Sequence, residues 1–433
     1  MRRSRHRFAV VGTAALLTMA GASATSGAAE PTALSAEAVP AYDLLIDDGH
    51  VIDPKNGTDE VMDVAIEGDE IAAVDDEIDP TEAAQTVDAS GMYVTPGLID
   101  MHAHMFTGPN DAYAAGKLAV APDGFTFRSG VTTAVDTGSP GWRNIDRYRA
   151  QVIDRSKTRV LAFLNIVGHG MAGANYEQNL NDMRVKPTAR AARENSDIIV
   201  GIKTAHYEGP EWAPVERSVK AGDIAGVPVM VDFGADLPER PIDELLTKKL
   251  RPGDVYAHMY SGLRGELTPG GKVNPGMIEG RERGVKFEVG HGGGSFAWDV
   301  AVPAMEQGFE PDIISTDLHI DSMNSGMKDM SNVMSKLLTL GMPLTDVIEA
   351  STWEPAQTIG RSQLGNLSEG APADVAVFSL DEGEYGYVDS FGYRVDGEQK
   401  LNAQLTVRAG EVAWDLNGIA AQEWTPGASE GRD

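Results

Sequence analysis

The sequence predicts an α/β fold of eight successive strand–helix units, with a small all-β companion drawn from both ends of the chain. Eight apolar runs carry this reading: Leu98 to His104, Val131 to Gly138, Val160 to Val167, Ile198 to Lys203, Val227 to Gly234, Val255 to His258, Phe287 to His291 and Ile313 to Asp317. Their C-terminal ends recur 24 to 36 residues apart, which suits a strand–helix–strand repeat of about 30 residues. Helix-like stretches such as Arg143 to Lys157 and Glu211 to Ala225 lie between them. The runs are continuously apolar, as strands of a parallel sheet covered on both faces are.

In chain order, Arg2, Arg3, Arg5 and Arg7 precede the apolar stretch Phe8 to Met19 and the small residues Ala22-Ser23-Ala24. That is the order of a secretory signal peptide, here residues 1–30, and the stretch falls short of the ~20 apolar residues a membrane span needs. The protein is therefore expected to be exported, periplasmic or extracellular in a bacterium, with no membrane anchor after signal cleavage. Residues 41–95 read as short strands separated by turns, at Tyr42 to Ile46, Val51 to Ile52, Val64 to Ile66 and Ile71 to Val74. Asp374 to Phe378 and Gln404 to Val407 resume that character within 361–420, so the two segments are assigned to one β-sandwich. Residues 96–360 form the strand–helix domain, closed by two helices within Ser331 to Gly360 that join at Gly341-Met342-Pro343. The tail from Ala428 to Asp433 is expected to fray.

His102 and His104 are the most informative pair. Side chains at i and i+2 of a strand face the same way, so two imidazoles at one strand end suit a transition-metal ion, each nitrogen approaching to about 2.1 Å. The pair alone could also be a hydrogen-bonded polar strand end. Its setting, Pro96-Gly97-Leu98-Ile99-Asp100-Met101-His102-Ala103-His104, resembles the PGLID-x-H-x-H opening strand of the amidohydrolase superfamily. The resemblance implies a (β/α)8 TIM barrel whose site gathers at the C-terminal strand ends. Lys203, His258, His291 and Asp317 stand at later predicted strand ends, and the order His-x-His, Lys, His, His, Asp matches the binuclear subtype. Taken singly, a strand-end Asp is usually a helix cap and a lone His a hydrogen-bonded core residue.

The resemblance implies two divalent ions, Zn²⁺ first with Mn²⁺ or Fe²⁺ as substitutes, held by His102, His104, Lys203, His258, His291 and Asp317. Burial favours the neutral amine of a lysine, and the resemblance implies that Lys203 adds carbon dioxide to give a bridging carbamate. It also gives Asp317 the role of base and then acid in hydrolysis of an amide, cyclic amide or ester. Within the superfamily, His258-Met259-Tyr260-Ser261-Gly262, Val289 to Ser295 and Ser315 to His319 resemble the amidohydrolase/deacetylase group related to dihydroorotases. That group implies Lys-x-Arg on the fourth strand, whereas this chain has Lys203-Thr204-Ala205. An arginine there could clamp a substrate carboxylate.

His169, His206, Tyr207, Tyr260 and His319, in loops after the strands, are candidates for orienting a small-molecule substrate. His169 between glycines can also be an exposed turn residue, and Trp212 a helix start packed on the barrel. The glycines after His291 permit close backbone approach near the metals or form only a turn. The chain has no cysteine and a formal charge of −29, which excludes disulfides and makes nucleic acid a poor partner. A homo-oligomer stays open. A lactonase or phosphotriesterase on the same ligands, and a catalytically silent binding protein, are the competing readings.

Overall fold

The computed structural model describes residues 40–232 and 237–426. The predicted signal peptide, the tail from Ala428 and Gly234 at the end of the fifth predicted strand lie outside the described residues. No helix among those described is long and apolar enough to cross a membrane.

Strands β1 (Leu44–Asp53), β2 (Thr58–Glu67), β3 (Glu70–Asp75), β4 (Thr86–Asp88) and β5 (Tyr93–Pro96) come first. Near the other end come β13 (Val375–Val388), β14 (Arg394–Arg408) and β15 (Glu411–Asp415). All eight join one sheet in the order β15-β14-β13-β5-β1-β2-β3, with β4 on β1. The two ends meet where β5 runs antiparallel to β13, Val94 opposite Val377. Side chains alternate between faces, so Leu44 and Ile46 enter one apolar cluster while Leu45 enters another with Ala65 and Ile78.

Between these segments lie β6 (Leu98–Ala103), β7 (Val131–Gly141), β8 (Arg159–Asn165), β9 (Ile199–Thr204), β10 (Val229–Val231), β11 (Val255–Tyr256) and β12 (Lys286–Phe287). They form a parallel sheet in sequential order, and β6, β7 and β9 are buried along their whole length. One apolar cluster unites Ile99, Met101, Val135, Leu161, Phe163, Val200, Met230 and Val255 with Ile313. Residues from six neighbouring strands can touch across one interior only if the sheet curls. The eighth predicted strand, Ile313 to Asp317, is not a strand of its own. Glu288 makes a parallel bridge to Ile313, and Ala103 makes one to Leu318.

The helices follow the predicted spacing with trimmed ends. Ala213–Ala225 starts just after Trp212 and stops at Gly226, whose φ of 75° suits a glycine. Arg143 to Lys157 resolves into the helix Ile145–Gln151 and a 3-10 turn, Ile153–Arg155. The closing region holds three helices, Met330–Thr339, Leu344–Glu349 and Trp353–Thr358, the first two meeting at the predicted Gly341-Met342-Pro343 turn.

Candidate metal centre

A cavity of about 600 Å³ opens where the parallel strands end, and its wall includes His102, His104, Lys203, Asp232, His258 and Asp317. His206, Arg264 and His319 line it as well. His206, His258 and Asp317 all have positive φ, 57°, 63° and 53°. Such a conformation costs a non-glycine residue on the order of 1 kcal/mol and persists only where the surroundings enforce it, often at functional sites. Here it turns each side chain off the strand direction into the cavity.

The first cluster forms around Asp317. Its Oδ1 lies 3.0 Å from His104 Nε2 and 3.8 Å from His102 Nε2. Each ring is anchored through its other nitrogen: His102 Nδ1 faces Glu288 Oε1 at 3.2 Å, and His104 Nδ1 faces Ser139 Oγ at 3.1 Å. Outer partners of this kind fix ring orientation and keep Nε2 toward a metal. Burial would raise the Asp317 pKa, but the imidazoles of His102 and His104 outweigh it and hold the carboxylate well below its ordinary range. Gly292 makes the approach possible, since a Cβ there would stand 2.5 Å from Asp317 Oδ2.

The second cluster pairs Asp232 with His258, Oδ2 to Nε2 at 3.5 Å. His258 donates Nδ1–H to the Gly290 carbonyl at 2.6 Å, which leaves Nε2 with its lone pair. Arg264 donates to Asp232 Oδ1 at 2.6 Å, and His206 Nε2 lies 3.3 Å from Oδ2. Two ligand atoms on one tetrahedral zinc stand about 3.4 Å apart. The separations of 3.0 and 3.8 Å bracket that value, so His102, His104 and Asp317 form a three-ligand group that fits a metal ion.

Lys203 sits between them, fully buried. Its Nζ is 3.3 Å from His102 Nε2 and 3.5 Å from Met230 Sδ. Among the described residues no carboxylate lies within salt-bridge distance of it, and burial lowers its pKa. Gly138, at φ 92°, leaves its stem room: a Cβ there would come within 2.7 Å of Lys203 Cγ.

The structure does not place His291 in the cavity wall. Its ring is wholly buried away from the cavity, stacked on Phe296 at 4.5 Å with 7° between the planes. Both nitrogens are engaged, Nδ1 with the Gly292 carbonyl at 2.9 Å and Nε2 with Lys336 Nζ at 2.6 Å. Lys336 also donates to the carbonyls of Gly326 and Val388, each at 2.7 Å. His291 thus pins the loop after β12 to the β13–β14 hairpin. His291→Ala is expected to leave metal content unchanged and to destabilise folding by about 2 kcal/mol, because the buried Lys336 amine loses an acceptor. Elemental analysis beside urea unfolding checks both; a loss of metal at full stability would restore the ligand role.

Three substrate candidates also lie outside the cavity wall. Tyr260 is buried and donates to the Phe309 carbonyl at 2.9 Å. Tyr207 bonds Glu211, and His169 Nδ1 lies 2.7 Å from Asp182 Oδ2. None of the three lines the cavity. His206 does, its Nδ1 2.8 Å from Glu177. Burial works against its charge, but Asp232 and Glu177 prevail and lift its pKa to about 10. Nearly half its side chain remains accessible, so solvent screens part of that attraction. His319 accepts from Ser322 N at 3.2 Å, leaving Nε2 3.7 Å from Asp317 Oδ2.

Sequence reasoning missed Asp232, Glu288 and Arg264. Asp232 follows β10 directly, a strand-end carboxylate that no motif in the sequence marks. Ala205, where the resemblance implies arginine, is buried, and the cavity's guanidinium comes instead from Arg264, in the loop after β11.

Residues 298–412 match the model of the amidohydrolase family. A deacetylase of Agrobacterium fabrum is 35% identical over 350 residues, covering 78% of this chain and 83% of that protein. The chain belongs to the amidohydrolase family. A deacetylase of Brucella anthropi is also 35% identical to this amidohydrolase, over 74% of the chain and 80% of the relative. Among solved structures, an adenine deaminase superposes with a TM-score of 0.79 at 29% identity, covering 87% of this chain and all of that one. A dihydroorotase superposes at 0.74 with 31% identity, covering 85% and 98%. These likenesses carry the barrel class of fold and make the chain a metal-binding hydrolytic enzyme acting on carbon–nitrogen bonds of small molecules.

Proposed function

We propose that this amidohydrolase is a deacetylase-like enzyme that cleaves an amide or cyclic amide at a binuclear centre of divalent ions, zinc in the first place. The observation that carries this reading is the convergence of His102 and His104 Nε2 on Asp317 beside a buried lysine with no carboxylate within salt-bridge distance among the described residues. His102, His104 and Asp317 would hold one ion, Asp232 and His258 the other, and Lys203 both. When bound, the ions lower the pKa of a coordinated water toward about 7 and polarise the scissile carbonyl.

The chain's own groups do the rest. The Lys203 amine, kept neutral by burial, would take up carbon dioxide and lose a proton to water, and the carbamate would supply anionic oxygen donors to the ions. Asp317, kept ionised by its imidazoles, accepts a proton from the attacking water and returns it to the leaving nitrogen. Glu288 and Ser139 hold the two histidine rings while this happens. His206 lines the cavity and packs against the non-reacting part of the substrate, so His206→Ala is expected to raise KM with kcat little changed. Unaltered kinetics on every good substrate would make His206 a loop residue only.

The same reading closes the curled sheet into a (β/α)8 TIM barrel over 96–360, supported by the bridges of Ile313 and Leu318 to its two edges, and gives 41–95 and 361–420 to a β-sandwich. It also takes residues 1–30 as a signal peptide for export, which N-terminal sequencing of protein secreted by a bacterial host tests. The activity is tested with metal-loaded enzyme on N-acyl amino acids, cyclic imides, acyl esters, lactones and phosphotriesters. Amides or cyclic amides should have the highest kcat/KM; turnover confined to lactones or phosphotriesters would overturn the reading.

A further inference from the structure

Behind Asp317 lies a second cavity. Its volume is about 300 Å³, at the lower end of the range for small-molecule pockets, and it shares no lining residue with the cavity of the candidate metal centre. Thr316 and Leu318 line it while Asp317, between them, lines the other. Asp100 is buried in its wall with its carboxylate already satisfied. It accepts from the backbone N–H of His102 at 3.2 Å, from that of Thr316 at 3.0 Å and from the Thr316 hydroxyl.

The remaining wall is largely apolar, made by Phe125, Val131, Leu318, Met323 and Met330. Its exposed edge is cationic. Arg128 and Lys328 stand there in solvent, and among the described residues neither has a carboxylate within salt-bridge distance. Asp329 beside them turns Oδ1 to the N–H of Asn332 at 2.8 Å, capping the helix Met330–Thr339. In a chain with 65 acidic and 36 basic residues, acids to pair with are plentiful, yet these two cations are left over an apolar cavity. A ligand that complements both features has a negative head and an apolar tail.

We infer that this cavity is a second ligand site, separate from the substrate cavity, for a small monocarboxylate with an apolar tail. The carboxylate pairs with Arg128, whose planar fork can take both oxygens, and with Lys328. The tail lies on Phe125, Val131, Leu318, Met323 and Met330, where it leaves water.

Titration of the metal-loaded protein, labelled with methyl-carbon-13 methionine, with hexanoate tests this by nuclear magnetic resonance. Met323 and Met330 line this cavity and Met171 lines the other, so the methyl signals separate the two sites. The Met323 and Met330 signals should shift saturably with a Kd on the order of 1 mM, and hexanamide should leave them in place. Replacing the exposed pair together, Arg128→Gln with Lys328→Gln, should weaken hexanoate roughly tenfold, the scale of two exposed ion pairs. Met323→Trp, which fills the cavity, should abolish the shift of Met330. Hexanoate shifts confined to Met171, hexanamide binding as well as hexanoate, or unchanged affinity in the glutamine double variant would overturn the inference. Should Met323→Trp fail to fold, judged by circular dichroism, the glutamine pair and hexanamide still decide.

Discussion

Asp317→Asn is expected to lower kcat by at least about 10²-fold, the lower end for loss of a general acid–base group, while the fold and most of the bound metal survive. The amide is nearly the same shape as the carboxylate and keeps an oxygen to face His104, but it cannot take a proton from water. The carboxylate can, because the His102 and His104 imidazoles keep it ionised against the cost of burial. Steady-state kinetics and metal content on one preparation separate the two roles. Near-normal turnover would remove Asp317 from the proton path, and a collapse in metal content would make it chiefly a ligand.

The second large effect belongs to Lys203. Lys203→Ala is expected to lose the bridge between the clusters and much of the metal, and to reduce kcat/KM by more than about 100-fold, beyond what disturbing an outer partner of a ligand costs. Short carboxylates such as propionate should restore part of the activity by entering the space left by the side chain. An ordinary buried amine predicts the reverse: metal content unchanged and no response to carboxylates. The room made by Gly138 and the absence of a carboxylate within salt-bridge distance among the described residues favour the first outcome.

The strand ends most legible in the sequence are those where side-chain alternation survives to the last residue. His102 and His104 keep the period of two and arrive together, and Lys203, next to last in β9, has its side chain inside. Legibility fails where the backbone leaves that period. Gly290 and Gly292 both have positive φ, so the chain turns around His291 and delivers its ring to Phe296 and Lys336. His258, itself at φ 63°, breaks the alternation that would have brought Tyr260 to the cavity, and the tyrosine enters the core instead. Asp232 was visible beside an apolar run, yet its role depends on neighbours from β11 and the loop beyond, a distance relation that no local pattern encodes. The same limit applies to the β13–β14 hairpin. Its outer half, Asp381 to Tyr387, is rich in charge and glycine and reads as loop until Lys336 and the loop after β12 are seen to hold it.

Crystals of protein purified with zinc, measured on both sides of the zinc absorption edge, decide whether the strand-end cluster is a zinc site. An anomalous peak is expected between His102, His104 and Asp317, with continuous density for a carbamate from Lys203 Nζ. A peak at His291, or a bare Lys203 amine and no peak beside Asp317, would contradict it.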